Sequence, residues 1–389
     1  MDIGRIRAET PGCAEVVHLN NAGAALQPAS VHEVVTGHLR LEMDIGGYEA
    51  ADAAADRLTA SYEVLARLIG AHPDEIAYVE NATRAWDMAF YAIPFRAGDR
   101  ILTTTSEYAS NAMAYAQVAA RHGARVEVVP DDEHGQISLD ALARMLDQGG
   151  VRVVTINHVP THDGLVNPAA EVGKLARAAG ALYLLDACQS IGQLTVDVRE
   201  IGCDLLSATG RKFLRGPRGT GFLYVRREVL ERLEPPFVDL RSADWTGSDS
   251  YRLRADARRF ETWERFVAGQ LGQAQAAAYA MDVGLQAIEE RVMALGSALR
   301  AGLADLPGVT VHDRGLRKSG IVTFTHARLG AAEIAGLLAE RRINVRVADQ
   351  TYRYDSGHRP VRRVRASVHY YNTEAELDHT LGTLGALFH

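Results

Sequence analysis

Cysteine is scarce in this 389-residue chain: Cys13, Cys188 and Cys203 are the only three, at spacings of 175 and 15 residues. The pattern holds neither a CxxC pair nor a disulfide framework, which removes thiol-redox, zinc-ribbon and disulfide-scaffold readings. Long apolar runs are missing too. No stretch reaches the roughly 18–20 apolar residues of a membrane helix, and the opening MDIGRIRAET has no apolar leader core. An excess of basic charge is also absent. Lys and Arg number 42 against 49 Asp and Glu, giving −7 and a pI near 6.1, so no global field recruits nucleic acid or anionic lipid. Repeats and low-complexity tracts are not seen, and 35 glycines and 12 prolines are ordinary numbers, excluding collagen-like and disordered classes. What is present is 47% hydrophobic and 23% charged residues, enough to bury a large core. A soluble, cytoplasmic protein of about two domains is expected.

Short runs rich in Val, Ile, Leu and Thr recur at 76–79, 100–104, 125–129, 151–156, 182–185, 204–208 and 220–225. They are continuous rather than alternating, as in strands covered by helices on both faces. Ala-rich helical patterns lie between them, at 83–92, 110–121, 138–146 and 168–179. The alternation predicts an α/β fold with a mostly parallel sheet of seven strands. After Phe260 the texture changes to a long helical region at 264–306, strands at 320–325, 343–347 and 363–369, and helices at 331–340 and 374–387. The predicted division is a large domain over 18–283 and a smaller C-terminal α+β domain over 284–389, joined by residues 1–17.

In such a sheet ligands sit at the carboxyl ends of the strands. Past the first strand comes Glu80-Asn81-Ala82-Thr83-Arg84, a turn opening a helix, which is either an anion site or a plain N-cap. Asp186 ends an apolar run, as a cap or as the partner of a bound cation. Lys212 follows another strand in Thr209-Gly210-Arg211-Lys212, ahead of Gly216-Pro217-Arg218-Gly219. It is an exposed loop lysine, or an amine of depressed pKa suited to Schiff-base chemistry. A lysine of that kind, with an aspartate that keeps a pyridinium nitrogen protonated, is what pyridoxal phosphate demands.

Taken in order, HLNNAG (18–23), ENATRA (80–85), SEYASN (106–111), HVPTHDGLVNP (158–168), LLDACQSIGQ (184–193), ATGRKFLRGPRGTGFLYV (208–225), RFETWE (259–264) and RASVHYYNT (365–373) resemble fold-type I pyridoxal-phosphate transferases. The group resembled is the class V aminotransferases, which include the cysteine desulfurases. The resemblance implies pyridoxal 5'-phosphate as cofactor, with Lys212 as its covalent anchor and Asp186 on the ring nitrogen. Gln189 is implied to face the phenolic oxygen, and Tyr108 to stack on the ring where desulfurases have His. Ala82, Thr83, Thr209 and Arg211 match phosphate-binding positions, with Arg211 replacing a His. Thr262 lies in a segment that reaches a partner's phosphate, which implies a homodimer. Arg365 resembles the arginine that grips the substrate carboxylate, with Asn21, Thr161 and His162 beside it.

Two departures stand out. Desulfurases carry a nucleophilic cysteine shortly before the carboxylate arginine, whereas 348–358 contains none. Cys188 reads as a small core residue. Thr161 replaces an asparagine, and His162 and Asp163 stand in a turn expected to face the site, with His162 either an acid–base group or a solvated side chain. Eight arginines in 341–365 read as a substrate-facing surface rather than a nucleic-acid patch. His158 and His162 flank a proline, which speaks against helical metal ligation, so no metal is expected. A non-catalytic cofactor-binding regulator would need no carboxylate clamp. Tyr108, the missing loop cysteine and GGYEAADAA (46–54) resemble the subgroup of ergothioneine-pathway C–S lyases and isopenicillin-type epimerases. The expected reaction is therefore β-elimination from an S-substituted L-cysteine to thiol, pyruvate and ammonia, not persulfide formation. Decarboxylating oxidative deamination, transamination and epimerisation are the alternatives.

Overall fold

The computed structural model describes residues 1–348, 354 and 361–388. Seven strands form the central sheet: β1 (Ile76–Val79), β2 (Arg100–Thr104), β3 (Arg125–Val129), β4 (Val151–Asn157), β5 (Leu182–Asp186), β6 (Leu205–Thr209) and β7 (Gly221–Val225). Their order is β1-β7-β6-β5-β4-β2-β3, and only β7 runs against its neighbours. The continuous apolar runs have the expected cause. Val153, Leu184, Leu205 and Leu223 enter the core on one face, with Trp86, Phe90 and Tyr115 from helices Ala82–Tyr91 and Ala109–His122. Val154, Leu185, Leu206 and Phe222 point to the other face, against Leu142, Val172 and Ala276 from helices Leu139–Asp147, Ala169–Ala178 and Val267–Val283. Leu184 and Leu205 are wholly buried, so truncating either to alanine costs about 2–5 kcal/mol.

A second sheet comprises β8 (Val309–Val311), β9 (Ile321–His326), β10 (Arg346–Ala348) and β11 (Arg363–Ser367), all antiparallel in the order β8-β9-β11-β10. It packs on helices Leu285–Ala304, Ala331–Ala339 and Glu374–Phe388 through Leu299, Ile334, Phe324 and Leu384. The short strand Val17–His18 pairs in parallel with Ile343–Asn344, and Asn20 bridges to Ser367, stitching the start of the chain to this sheet.

The strand expected over 343–347 is instead two. Ile343–Asn344 hydrogen-bonds to Val17–His18 and Arg346–Ala348 to β11, because two separate sheet edges compete for one apolar run. Helices Ala29–Ile45, Gly47–Ala53 and Ala55–Leu68 and the hairpin Ala243–Gly247/Ser250–Leu253 have no counterpart in the sequence reading. Among the described residues no helix is long and apolar enough to cross a membrane.

Candidate active site

Because β7 is reversed, β6 and β7 are joined by the short connection 210–220 instead of a crossover helix, and Lys212 rides on it. The connection is pinned from below. Arg215 sits in the left-handed region at φ 64°, a conformation that costs a non-glycine residue about 1–2 kcal/mol. Its guanidinium is buried and donates to Leu26 O at 2.8 Å and the Tyr370 hydroxyl at 2.7 Å, over the ring of Tyr371. On the other side Gly192 has φ +91°, and a Cβ there would meet the Phe213 carbonyl carbon at 2.3 Å. Only glycine lets the 189–193 turn close against the lysine loop.

The cleft beside Lys212 has a volume of about 350 Å³ and is lined at the strand ends by Ala82, Thr83, Tyr108, Thr161, Gln189, Thr209 and Arg211, with Asn111, Asn157, Asp186 and Cys188. Asp186 ends β5 fully within the wall. Its Oδ2 accepts from Asn157 Nδ2 at 2.8 Å and Asn111 Nδ2 at 3.2 Å, and its Oδ1 from the Cys188 N–H at 2.9 Å. Burial raises its pKa, while these donors and Lys212 oppose that rise. Lys212 Nζ lies 3.3 Å from Cys188 Sγ, so Cys188 is a cleft residue rather than part of the core.

At the far side, Asn81 Oδ1 accepts the Arg84 N–H at 2.8 Å and caps helix Ala82–Tyr91. The cap leaves Ala82 and Thr83 at a helix N-terminus facing the cleft, where an anion is favoured. Thr209 Oγ1 donates to Thr220 O at 3.3 Å, and Arg211 Nη1 bonds to Gly23 O. Tyr108 is 41% exposed, and its N–H donates to Asn157 Oδ1 at 2.8 Å. Gln189 Nε2 donates to Thr161 Oγ1 at 3.1 Å and Ala22 O at 3.2 Å, whereas its buried Oε1 has no partner among the described residues.

Arg365 comes from β11, in register with Thr323 and Arg346. Its Nη1 donates to Thr161 Oγ1 at 2.7 Å and Thr161 O at 3.1 Å, and its buried Nε has no partner among the described residues. Burial and the charges of Arg346 and Arg211 push it down to about 10. His162 is neutral at pH 7, pushed down to about 4 by burial and by Arg365. Asp163 is buried and bonded to the Leu165 N–H at 2.9 Å and Arg314 Nε at 3.2 Å, so it fixes the turn and does not face the cleft. Asn21 is not in the cleft either. Its amide donates to Ser367 O at 2.7 Å and His18 O at 3.1 Å, and its oxygen accepts from Tyr371. Thr262 lies apart from the cleft, bonded to Glu264 O at 3.0 Å. Sequence reasoning missed Asn111, Asn157 and Glu107. The signal available for them was a polar residue ending an apolar strand at Asn157, and the Glu107–Asn111 spacing of one helical turn.

The family model of the class-V aminotransferases matches residues 17–380. The chain belongs to that family. Similar proteins include the "Probable cysteine desulfurase" of Pyrococcus abyssi, 29% identical over 98% of this chain and 96% of its own. That of Methanothermobacter thermautotrophicus is 30% identical over 96% and 94%. Among solved structures, the apo cysteine desulfurase of Thermococcus onnurineus matches with TM-score 0.90 and 26% identity, covering 99% of this chain and 98% of its own. The fold is that of the fold-type I transferases, and the cofactor is pyridoxal 5'-phosphate. The cleft fits it. An orphaned Gln189 Oε1, a buried carboxyl awaiting a cation, an amine in the wall and a helix N-terminus are the four groups it needs.

These relatives overturn two expectations, the C–S β-lyase reaction and the exclusion of desulfurase activity. The exclusion rested on the absence of cysteine from 348–358, most of which lies outside the described residues. A missing residue at one stretch of sequence does not decide where a thiol stands in space, and Cys188 stands in the cleft. The comparisons carry the family and not the narrower lyase and epimerase subgroup.

Proposed function

We propose that this chain removes the side-chain sulfur of L-cysteine or a near analogue, with pyridoxal 5'-phosphate bound at Lys212. The observation that carries the reading is the pair Lys212 and Asp186 in one cleft, at the strand ends of a fold shared with proteins named cysteine desulfurases. The cofactor supplies, when bound, an electrophilic carbonyl for amines and a protonated ring that withdraws electrons from the substrate Cα. Lys212 anchors it and, when free, moves the proton at Cα. Asp186 keeps the proton on the ring nitrogen, and Gln189 orients the phenolic oxygen. The helix start at Ala82 and Thr83, with Thr209 and Arg211, holds the phosphate. Tyr108 covers the ring against water.

Arg365 binds the substrate carboxylate, with Thr161 steadying its fork and neutral His162 beside it. Asn21 acts through Ser367, two residues along the strand from Arg365. A homodimer belongs to the same reading. In that reading Thr262 would meet a neighbouring subunit, which the 52% and 72% exposure of Trp263 and Tyr48 supports, and active monomers in sedimentation would contradict this. The division into 18–283 and 284–389 with 1–17 is also part of it, supported by the pairing of Val17–His18 with Ile343–Asn344.

Cysteine less its sulfur atom is alanine, so the sulfur leaves without its electrons and must pass to a thiol. The test is incubation of the holoenzyme with L-cysteine and dithiothreitol, which supplies two electrons and releases sulfide. Alanine and sulfide in equal amounts support the reading. Pyruvate and ammonia in place of alanine overturn it.

A further inference from the structure

Glu107 lies just beyond β2, 1% exposed and with no cation paired to it among the described residues. It accepts four hydrogen bonds. The Tyr115 hydroxyl at 2.6 Å and Thr103 Oγ1 at 2.7 Å donate to Oε2, and the Tyr108 N–H at 2.7 Å and Asn111 Nδ2 at 3.0 Å donate to Oε1. The same Asn111 Nδ2 also donates to Asp186 Oδ2 at 3.2 Å. One amide group therefore spans both carboxyls, a proton to each. A second path runs beside it. The Tyr108 N–H that meets Glu107 also meets Asn157 Oδ1 at 2.8 Å, and Asn157 Nδ2 donates to Asp186 at 2.8 Å. The backbone N–H fixes which way the Asn157 amide points. Glu107 and Asp186 are thus tied by two bridges in the wall of the cleft, with Glu107 itself buried behind it.

A second buried carboxyl wired in this way to the first is more than a helix support. Thr103, Tyr115 and Asn111 would hold a neutral glutamine at the same place, so the hydrogen bonds alone do not call for an acid. Charge is what glutamate adds, and in a low-dielectric wall a negative charge so close to Asp186 acts on whatever cation Asp186 holds. We propose that Glu107 is a positioning residue for the cofactor ring, acting through Asn111 and Asn157 so that Glu107 and Asp186 behave as one acid pair that strengthens the hold of Asp186 on the ring-nitrogen proton. The inference rests on the cofactor reading above, in which Asp186 faces the ring nitrogen.

The titratable groups that face Glu107 are Tyr115 from helix Ala109–His122 and Asp186 from β5, with Lys212 reaching Asp186 from the 210–220 connection. Burial lifts Glu107 to about 7, against the pull of its donors, and Asp186 lifts it further. Tyr115 is itself raised, by burial and by Glu107, and so stays a donor. Glu107 accordingly changes charge near neutral pH, and Asp186, itself raised by burial, is coupled to it.

The experiment is a pH titration of the cofactor absorbance band in holoenzyme, comparing wild type with Glu107→Gln and Tyr115→Phe. Removing the negative charge destabilises the nearby cation, so Glu107→Gln is expected to move the midpoint down by about 0.5–1 pH. Tyr115→Phe removes a hydrogen bond but no charge, and is expected to lower the melting temperature with a far smaller move. Should Glu107→Gln fail to take up cofactor, Asn111→Ala keeps the acid and cuts one bridge, and a moved midpoint is again expected. A midpoint unchanged in Glu107→Gln, or in Asn111→Ala where that variant replaces it, overturns the proposal. Borohydride trapping runs in parallel. No adduct on Lys212 in wild type would defeat the cofactor reading itself, whereas an adduct with an unmoved midpoint defeats only the role of Glu107.

Discussion

Lys212 Nζ and Cys188 Sγ touch at 3.3 Å, so the lysine and the cysteine lining the cleft form a contact pair. The thiol gains from the ammonium and loses from burial, and burial wins, pushing Cys188 upward. The thiol is therefore mostly protonated at neutral pH. Maleimide labelling of Cys188 in the apoenzyme should be slow at pH 7 and rise with pH. Cofactor bound at Lys212 should cover the thiol and suppress the labelling several-fold, as read by peptide mass spectrometry. Equal labelling with and without cofactor would place the cofactor elsewhere.

Lys212 gives a second prediction. Lys212→Ala should lose the borohydride-reducible cofactor adduct and all turnover, while its melting curve stays close to wild type, because the loop is held by Arg215, Tyr370 and Leu26 rather than by the lysine. An adduct that maps to Lys174 or Lys318 would reassign the anchor.

The large sheet was legible because its strands are buried on both faces, which forces unbroken apolar runs that period-2 strands would not show. Lys212 and Asp186 were legible for a related reason: each stands just past such a run, where a polar residue needs a purpose, whereas Gln189 was read only from the resemblance. Glu107 and Asn111 were not, since they face each other across a helical turn and meet Asp186 only after β2 and β5 come within two strands of each other in the sheet. Nor was the place of Cys188. Sequence puts it beside Asp186, but only the turn closed by Gly192 against Phe213 brings it to Lys212. The split of 343–347 between two sheets is likewise a matter of which edges are free, a property of the assembled fold. Asn21 reads as a site residue by its place in HLNNAG, and its amide is spent on Ser367, His18 and Tyr371 instead.

His158 predicts an acid limb of stability. It is 5% exposed and pushed down to about 4, first by burial and then by Arg317. An unfolded histidine protonates near 6.5, so below that pH protons favour the unfolded chain. The contribution is complete above pH 6.5 and is lost as pH falls through 4, amounting to about 3 kcal/mol at its largest. The difference in unfolding free energy between wild type and His158→Gln should therefore change with pH between 6.5 and 4 and be flat above 7. A difference that stays constant from pH 4 to 8 would show that His158 titrates normally.

Arg365 ties the small sheet to the cleft, and its charge is the quantity at stake. A charge-assisted hydrogen bond is worth about 1.5–3 kcal/mol, so Arg365→Ala should weaken amino-acid binding about tenfold to a hundredfold and leave the cofactor spectrum unchanged. Lysine should rescue little, because it lacks the planar fork that Thr161 steadies. The pH dependence has a definite sign. Burial, Arg346 and Arg211 lower Arg365 to about 10; the guanidinium is charged below that value and neutral above it. Binding of a carboxylate should then hold constant across neutral pH and fall as pH rises through 10. Arg346→Gln removes one of the two opposing charges, so it should carry the fall to higher pH without weakening binding at pH 7. Titrating the affinity of a non-reacting amino acid by its effect on cofactor absorbance reads both variants. A fall that stays in place in Arg346→Gln would mean that another group governs it.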